Sequence, residues 1–244
     1  MSAALDIIDT KSTRARMLAR LRGNANHTSH ETPPPSTETL DASIDAHYAA
    51  YRPFANDSAS ELIERFQQML EAAHAQVIRA NASTWAADLA QRLAAAGVRR
   101  LLMDRACAEG NALAQALPPG IRACDFAQPI EHWKAELFDT VDAGFTVARS
   151  GLAATGTLVV VPDAGSPRTV SLVPPLHVAL VHARTLHADL HAAVAAERWR
   201  DAMPTNLVMI SGPSKTSDIQ QTTAYGAHGP RALWVVVIEE EHAQ

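Results

Sequence analysis

Two periods of apolar residues run along this chain, and they alternate after an isolated helical start. Leu5, Ile8, Met17, Leu18 and Leu21 give residues 3–22 a helical pattern that stops at Gly23-Asn24. Residues 24–39 lose all periodicity. Pro33-Pro34-Pro35, set among Ser, Thr, His and Asn, reads as an extended linker. The helical period returns with Leu62, Ile63, Phe66, Met69, Leu70, Ala73 and Val77, capped by Asp57 or Ser58. A further helix is predicted over 84–96, ended by Gly97, and another over 106–117, ended by Pro118-Pro119-Gly120.

Between and after these helices the runs are short and β-prone. Strands are predicted over 99–103, 121–126, 145–147, 156–161, 168–172 and 176–181. An amphipathic helix over 186–199 follows, then a strand over 206–210, a loop opening a helix, and a closing strand over 233–238. Strands alternating with helices predict an α/β fold with a mostly parallel sheet. The chain divides into an N-terminal helix and Pro-rich linker (1–40) and an α/β domain (41–244).

Composition narrows the function classes. Of 244 residues 47% are hydrophobic but only 5% aromatic, which suits helices packed closely on a sheet better than an aromatic-rich sandwich. The formal charge is -5, from 21 basic and 26 acidic residues, with no basic stripe, so a nucleic-acid partner is not expected. No apolar run reaches the ~18–20 residues of a membrane span, and the first residues lack the pattern of a secretion signal. The expected compartment is the cytoplasm. Cys107 and Cys124 stand alone, without C-x-x-C spacing, and two thiols are too few for an iron–sulfur cluster.

The densest chemistry lies at Ser211-Gly212-Pro213-Ser214-Lys215-Thr216-Ser217-Asp218, directly after a predicted strand. A glycine turn, hydroxyls, one lysine and a helix start form the elements of an anion-binding loop. The same residues also make an ordinary helix N-cap, with Asp218 favouring the helix dipole. Ligands in α/β sheets collect at the carboxyl ends of strands, which is where this loop and Thr155-Gly156-Thr157 are expected. His228, between Gly226 and Gly229-Pro230, is not placed to fill a core and can serve as an acid/base or an orienting donor. His187 and His191 have a four-residue spacing that can hold zinc, but no H-E-x-x-H pattern accompanies them, and no metal site is assigned. No Walker loop, G-x-G-x-x-G or G-x-S-x-G occurs.

Four motifs in this order carry a resemblance: Thr155-Gly156-Thr157 with its apolar strand, the run from Ser171 through Pro174-Pro175 and His177 to Val178, Ser211-Gly212-Pro213-Ser214 with Asp218-Ile219, and Gly226-Ala227-His228-Gly229-Pro230. Together the region from Glu61 to Glu239 resembles the LUD-domain family, and within it the lactate utilization protein C group. The resemblance implies a three-layer α/β/α domain, similar to those of ribose-5-phosphate isomerase, glucosamine-6-phosphate deaminase and the CoA transferases. It also implies a place beside two iron–sulfur proteins in the oxidation of L-lactate to pyruvate, with the clusters on those partners and no cofactor in this chain. The ligand implied is a small anion, held by Thr155, Gly156, Thr157, Ser211, Gly212, Pro213, Ser214, Lys215, Thr216, Asp218 and Gly229, with His228 as the catalytic candidate. A homo-oligomer is compatible with this reading. The alternative is a stand-alone isomerase or transferase acting on a phosphorylated or CoA-linked substrate. Relatives commonly carry glutamate where this chain has Ala154 and Gln220, which removes two negative charges from the region.

Overall fold

A computed structural model describes residues 10–27, 35–50, 57–126, 128–217 and 223–239, and side-chain alternation along its strands explains its layers. The chain forms two units, Met1–Arg52 and Pro53–Gln244. The first contains α1 (Thr10–His27) and α2 (Thr37–Ala50). α1 continues past Gly23-Asn24, where the sequence predicts its end. α2 occupies ground read as linker and as the start of the α/β domain. It forms because the Ser36 hydroxyl accepts the Thr39 N–H at 3.2 Å and Leu40, Ile44 and Tyr48 repeat at helical spacing.

The second unit begins with α3 (Ala59–Ala72), opened by a capping box: the Ser58 hydroxyl accepts from the Glu61 N–H, and the Glu61 carboxylate accepts from the Ser58 N–H. The helix stops earlier than predicted. His74 adopts φ +68°, and β1 (Gln76–Asn81) starts two residues later. Val77 therefore belongs to a strand. The elements α4 (Trp85–Ala95), β2 (Arg100–Leu102), α5 (Ala108–Ala116) and β3 (Arg122–Cys124) follow as the pattern predicts. Next come α6 (Lys134–Thr140), β4 (Ala143–Val147), β5 (Ser150–Leu152) and β6 (Thr157–Val160).

Three predicted elements are different in kind. Residues 168–172 form not a strand but a short helix, α7 (Thr169–Leu172), ahead of β7 (Leu176–His182). The helix predicted over 186–199 is split: β8 (Leu186–His187) comes first, and α8 (Leu190–Ala196) begins only after Asp189, whose carboxylate caps it through the Ala192 N–H. After β9 (Val208–Ile210), the predicted helix start is extended chain. β10 (Lys215–Ser217) pairs antiparallel with β11 (Thr223–Tyr225), and β12 (Ala232–Glu239) closes the order.

The main sheet is six-stranded in the order β1-β12-β7-β4-β2-β3, with every neighbouring pair parallel. A second sheet, β8-β5-β6-β9, is mixed. On the main sheet Val178, Leu180, Val236 and Ile238 face α4 and α5 (through Trp85, Leu89, Leu93 and Leu113). Their chain neighbours Ala179, Val181, Val235 and Val237 face the opposite way, onto Phe66 and Leu70 of α3 and Leu158 and Val160 of β6. This is the period-2 alternation of a sheet buried on both faces. Each such Val, Leu, Ile or Phe side chain contributes roughly 1.5–3 kcal/mol by leaving water. One covering layer is thus helical, and the other combines helices with a second sheet.

Candidate functional site

β9 ends on the second sheet at Ile210, and the chain then turns through Ser211-Gly212-Pro213-Ser214 across the amino ends of β7 and β12. The backbone ties this turn to the segment before β12: the Ser214 N–H donates to the Pro230 carbonyl at 2.8 Å, and the Gly226 N–H donates to the Ser214 carbonyl at 2.9 Å. Between the two segments lies a cavity of about 260 Å3. Its polar lining comes from Ser171, His177, Ser211, Ser214 and His228, and Leu172, Ile210 and Leu233 supply apolar wall. A Cβ at Gly229 would sit 3.2 Å from Ser214 Cβ and would crowd the turn.

His177 forms the floor. It is 1% exposed, next to the apolar run Val178–Val181 of β7, and its Nε2 lies 2.8 Å from the Thr146 hydroxyl of β4. Burial lowers its pKa to about 4, because a charged imidazole would lose its hydration. His177 is therefore a neutral group near pH 7. Ser171, also buried, donates its hydroxyl to the Arg168 carbonyl at 3.0 Å, which fixes α7 at the rim.

A row of hydroxyls approaches from the second sheet. Thr155 Oγ1 lies 2.6 Å from Thr157 Oγ1, and Thr157 Oγ1 lies 2.8 Å from Ser211 Oγ. Two separate sequence motifs thus share one hydrogen-bonded chain, and Ser211 is its end at the cavity. Gly156 has a different role. It adopts φ +59°, and a Cβ would stand 2.8 Å from the Leu70 N–H nitrogen, so glycine here allows the turn to press on α3.

Ser211, Gly212, Pro213, Ser214, His228 and Gly229 therefore meet around one cavity, with Thr157 and Thr155 linked behind Ser211. Lys215 and Thr216 do not line it. They sit in β10, so the predicted helix N-terminus with its dipole is absent at those residues. Asp218 and Gln220 lie outside the described residues. The expected location is also corrected. The loop stands at the carboxyl end of β9, but relative to the main parallel sheet it covers the amino edge, because β9 belongs to the second sheet. His177 was not among the candidate site residues read from sequence, although it stands in the Ser171–Val178 motif and as a histidine next to the apolar run Val178–Val181.

The carboxyl edge of the main sheet is charged. Arg79 Nε donates to Glu239 Oε1 at 2.5 Å, Arg105 pairs with Asp125, and His182 Nε2 lies 2.9 Å from Glu109 Oε1. The guanidiniums hold the Glu239 and Asp125 carboxyls below their ordinary pKa values. A small cavity of about 80 Å3 opens there beside Asp104, Cys107, Thr146 and Asp163. The Cys107 thiol is raised in pKa, chiefly by burial, and disfavours the thiolate a metal would need. His187 stands in β8 rather than on a helix, 3.6 Å from Glu197, so the zinc-capable helical spacing with His191 does not form. Among the described residues no three His, Cys, Asp or Glu side chains are grouped to hold a metal ion, and no helix is long and apolar enough to cross a membrane.

Comparison with known proteins adds a separate line of support. The LUD domain profile matches residues 63–238. An uncharacterized protein of Neisseria meningitidis serogroup B is 37% identical over 187 residues, covering 76% of this chain and 80% of its own. Lactate utilization protein C of an Exiguobacterium species is 28% identical over 191 residues, 75% of this chain and 80% of that protein. The protein of that name from Halalkalibacterium halodurans is 34% identical over 110 residues, which is 42% of this chain and 46% of its own length. Among solved structures, a DUF162 family protein from Deinococcus radiodurans superposes with a TM-score of 0.57 at 24% identity, over 74% of this chain and 98% of that one. That likeness concerns the mostly parallel α/β fold.

Proposed function

The chain belongs to the LUD-domain family, and we propose that it serves in lactate utilization as the acid-binding subunit of an iron–sulfur-dependent system that oxidises L-lactate to pyruvate. The name shared by several relatives supports the lactate-utilization role. The observation that carries the rest is the character of the amino-edge cavity. Among the described residues it is lined by two imidazoles and three hydroxyls and by no Lys, Arg, Asp or Glu.

That lining suits a short hydroxy or keto monocarboxylate. Hydroxyls and a neutral histidine can hydrogen-bond a C2 oxygen, and the apolar wall can take a methyl group. His228 at the mouth can face the carboxylate or exchange a proton. A phosphorylated or CoA-linked substrate is less well served. A phosphate dianion placed there would lose hydration that no lysine or arginine among the described lining residues restores, and drug-sized ligands need pockets of roughly 300–1,000 Å3.

Oxidising lactate to pyruvate removes two electrons and two protons, and this chain's part is to hold and orient the acid. The electrons would pass to clusters on partner proteins. Cys107 and Cys124 are too few to ligate a cluster here, and the raised pKa of Cys107 supports that division. On this reading the chain works in the cytoplasm, takes no nucleic acid and carries no cofactor of its own. The test is to purify the tagged chain from cells grown on L-lactate. Co-elution of proteins with the broad visible absorption of iron–sulfur clusters is expected. A chain that elutes alone and turns over a sugar phosphate or CoA ester by itself contradicts the reading.

A further inference from the structure

Alternation along β7 and β12 opens a second space at the amino edge, on the opposite face of the main sheet. His177 and Leu233 line the cavity described above. Their chain neighbours Leu176 and Trp234 pack toward the α4 side of the core and line another cavity, of about 250 Å3. Val98 and Pro175 complete its apolar wall. Two charges of opposite sign share the lining. Asp142, just before β4, accepts the Arg99 and Arg100 N–H groups on Oδ2 at 2.8 and 2.9 Å, which fixes the carboxylate in place. Its Oδ1 has no partner among the described residues. Arg231 is exposed and pairs with no carboxylate among the described residues, Asp142 included. Its stem is held by the turn before it, where a Cβ added at Gly226 would stand 2.7 Å from Arg231 Cβ. An Asp and an Arg that line one cavity without meeting leave both charges available to a ligand that carries both.

We propose that this cavity binds a free apolar α-amino acid. The Arg231 guanidinium takes the carboxylate, with the two-point geometry its planar fork provides. Asp142 Oδ1 accepts from the ammonium, and the apolar wall receives the side chain. The volume falls below the roughly 300–1,000 Å3 of sites for drug-sized ligands and suits a single amino acid. A hydroxy acid brings no cation to Asp142 and a simple amine brings no anion to Arg231, so the two charges together set the selectivity. The site uses none of the residues of the lactate reading and stands without it.

Calorimetric titration of L-leucine into the full chain tests the assignment. Saturable binding is expected, with isocaproate and isoamylamine, which each lack one charged group, at least tenfold weaker. Arg231→Gln and Asp142→Asn should each weaken L-leucine at least tenfold, and Arg231→Lys by less than Arg231→Gln. Affinity for L-lactate should be the same in Arg231→Gln as in the wild type. A chain that takes L-leucine but no L-lactate keeps this inference and removes the lactate reading. Absence of binding by L-leucine, L-valine and L-phenylalanine overturns the inference. So does equal binding of the one-charge analogues, or loss of L-lactate binding in Arg231→Gln, which would assign Arg231 to the other cavity. Chemical denaturation of each variant separates lost binding from lost folding, and the exposed Arg231→Gln carries the test if Asp142→Asn does not fold.

Discussion

At the carboxyl edge of the six-stranded sheet Arg79 and Arg105 are already paired with carboxylates, whereas in the cavity beside Ser211–Ser214 at the amino edge serines and histidines are gathered around space. Arg79 answers Glu239, Arg105 answers Asp125, and Glu109 meets His182. Such pairs are satisfied by each other and leave little for a ligand. At the amino edge Ser211, Ser214, His177 and His228 converge on about 260 Å3 of open volume. The difference teaches that density of charge is a poor guide to a site. What marks one is polar capacity held in place by the fold and directed into a cavity.

Removing His177 should break the comparison most strongly. His177→Ala leaves a void and an unpaired Thr146 hydroxyl in the interior, so unfolding stability should fall by about 2–5 kcal/mol in denaturant titrations. His177→Gln, which keeps a hydrogen-bonding side chain, should recover part of that loss.

Acid should act through the same residue. The folded pKa of His177 is about 4 against an ordinary 6.5, so the unfolded chain binds a proton that the folded chain refuses between those values. Stability is therefore retained above pH 6.5 and lost as pH falls toward 4, by about 3 kcal/mol in total. Melting curves across that range should lose most of this slope in His177→Gln. The Asp125 and Glu239 carboxyls, with lowered pKa values, add their own loss as acid protonates them below the ordinary carboxylate range.

Crowding the cavity should separate binding from folding. In Gly229→Val the new side chain meets Ser214, whose Cβ stands only 3.2 Å from the first added carbon. Affinity for L-lactate or pyruvate should drop at least tenfold, or about 1.4 kcal/mol, while chemical denaturation still shows one cooperative transition. The smallest effect belongs to the opposite edge. Glu239→Gln breaks a half-exposed ion pair with Arg79 and should change stability by about 0.2–1 kcal/mol, with ligand affinity unchanged.

Much of the α/β framework was legible because its signals are local. Gly97 and the run Pro118-Pro119-Gly120 end helices where the structure ends them, and the apolar runs of β7 and β12 report strands buried on both faces. Breaks hidden inside a continuing apolar pattern were not legible. His74 turns the chain by adopting a left-handed conformation, but Val77 still falls in helical register with α3. Leu186 and His187 look like a helix start until the Asp189 cap begins the helix after them.

Of the candidate residues, Ser211, Gly212, Pro213, Ser214, His228 and Gly229 line the amino-edge cavity, while Lys215 and Thr216 do not, and the place where they meet was not legible. The four motifs carry turn glycines, prolines and hydroxyls that stand out locally. Which sheet a strand joins is a long-range property, so the assignment of β9 to the second sheet, and hence the shift to the amino edge, could not be seen. His177 was hidden for a related reason. In sequence it is one polar residue in a buried strand, and only the meeting of β4 and β7 gives it Thr146 as a partner.

The central claim is that ligand binding belongs to the amino edge of the sheet. Calorimetric titration of L-lactate and pyruvate into the wild type, His177→Gln and Asp104→Asn tests it most directly. The account predicts saturable binding that weakens at least tenfold in His177→Gln and is unchanged in Asp104→Asn. Binding lost in Asp104→Asn and retained in His177→Gln would move the site to the carboxyl edge and contradict the account.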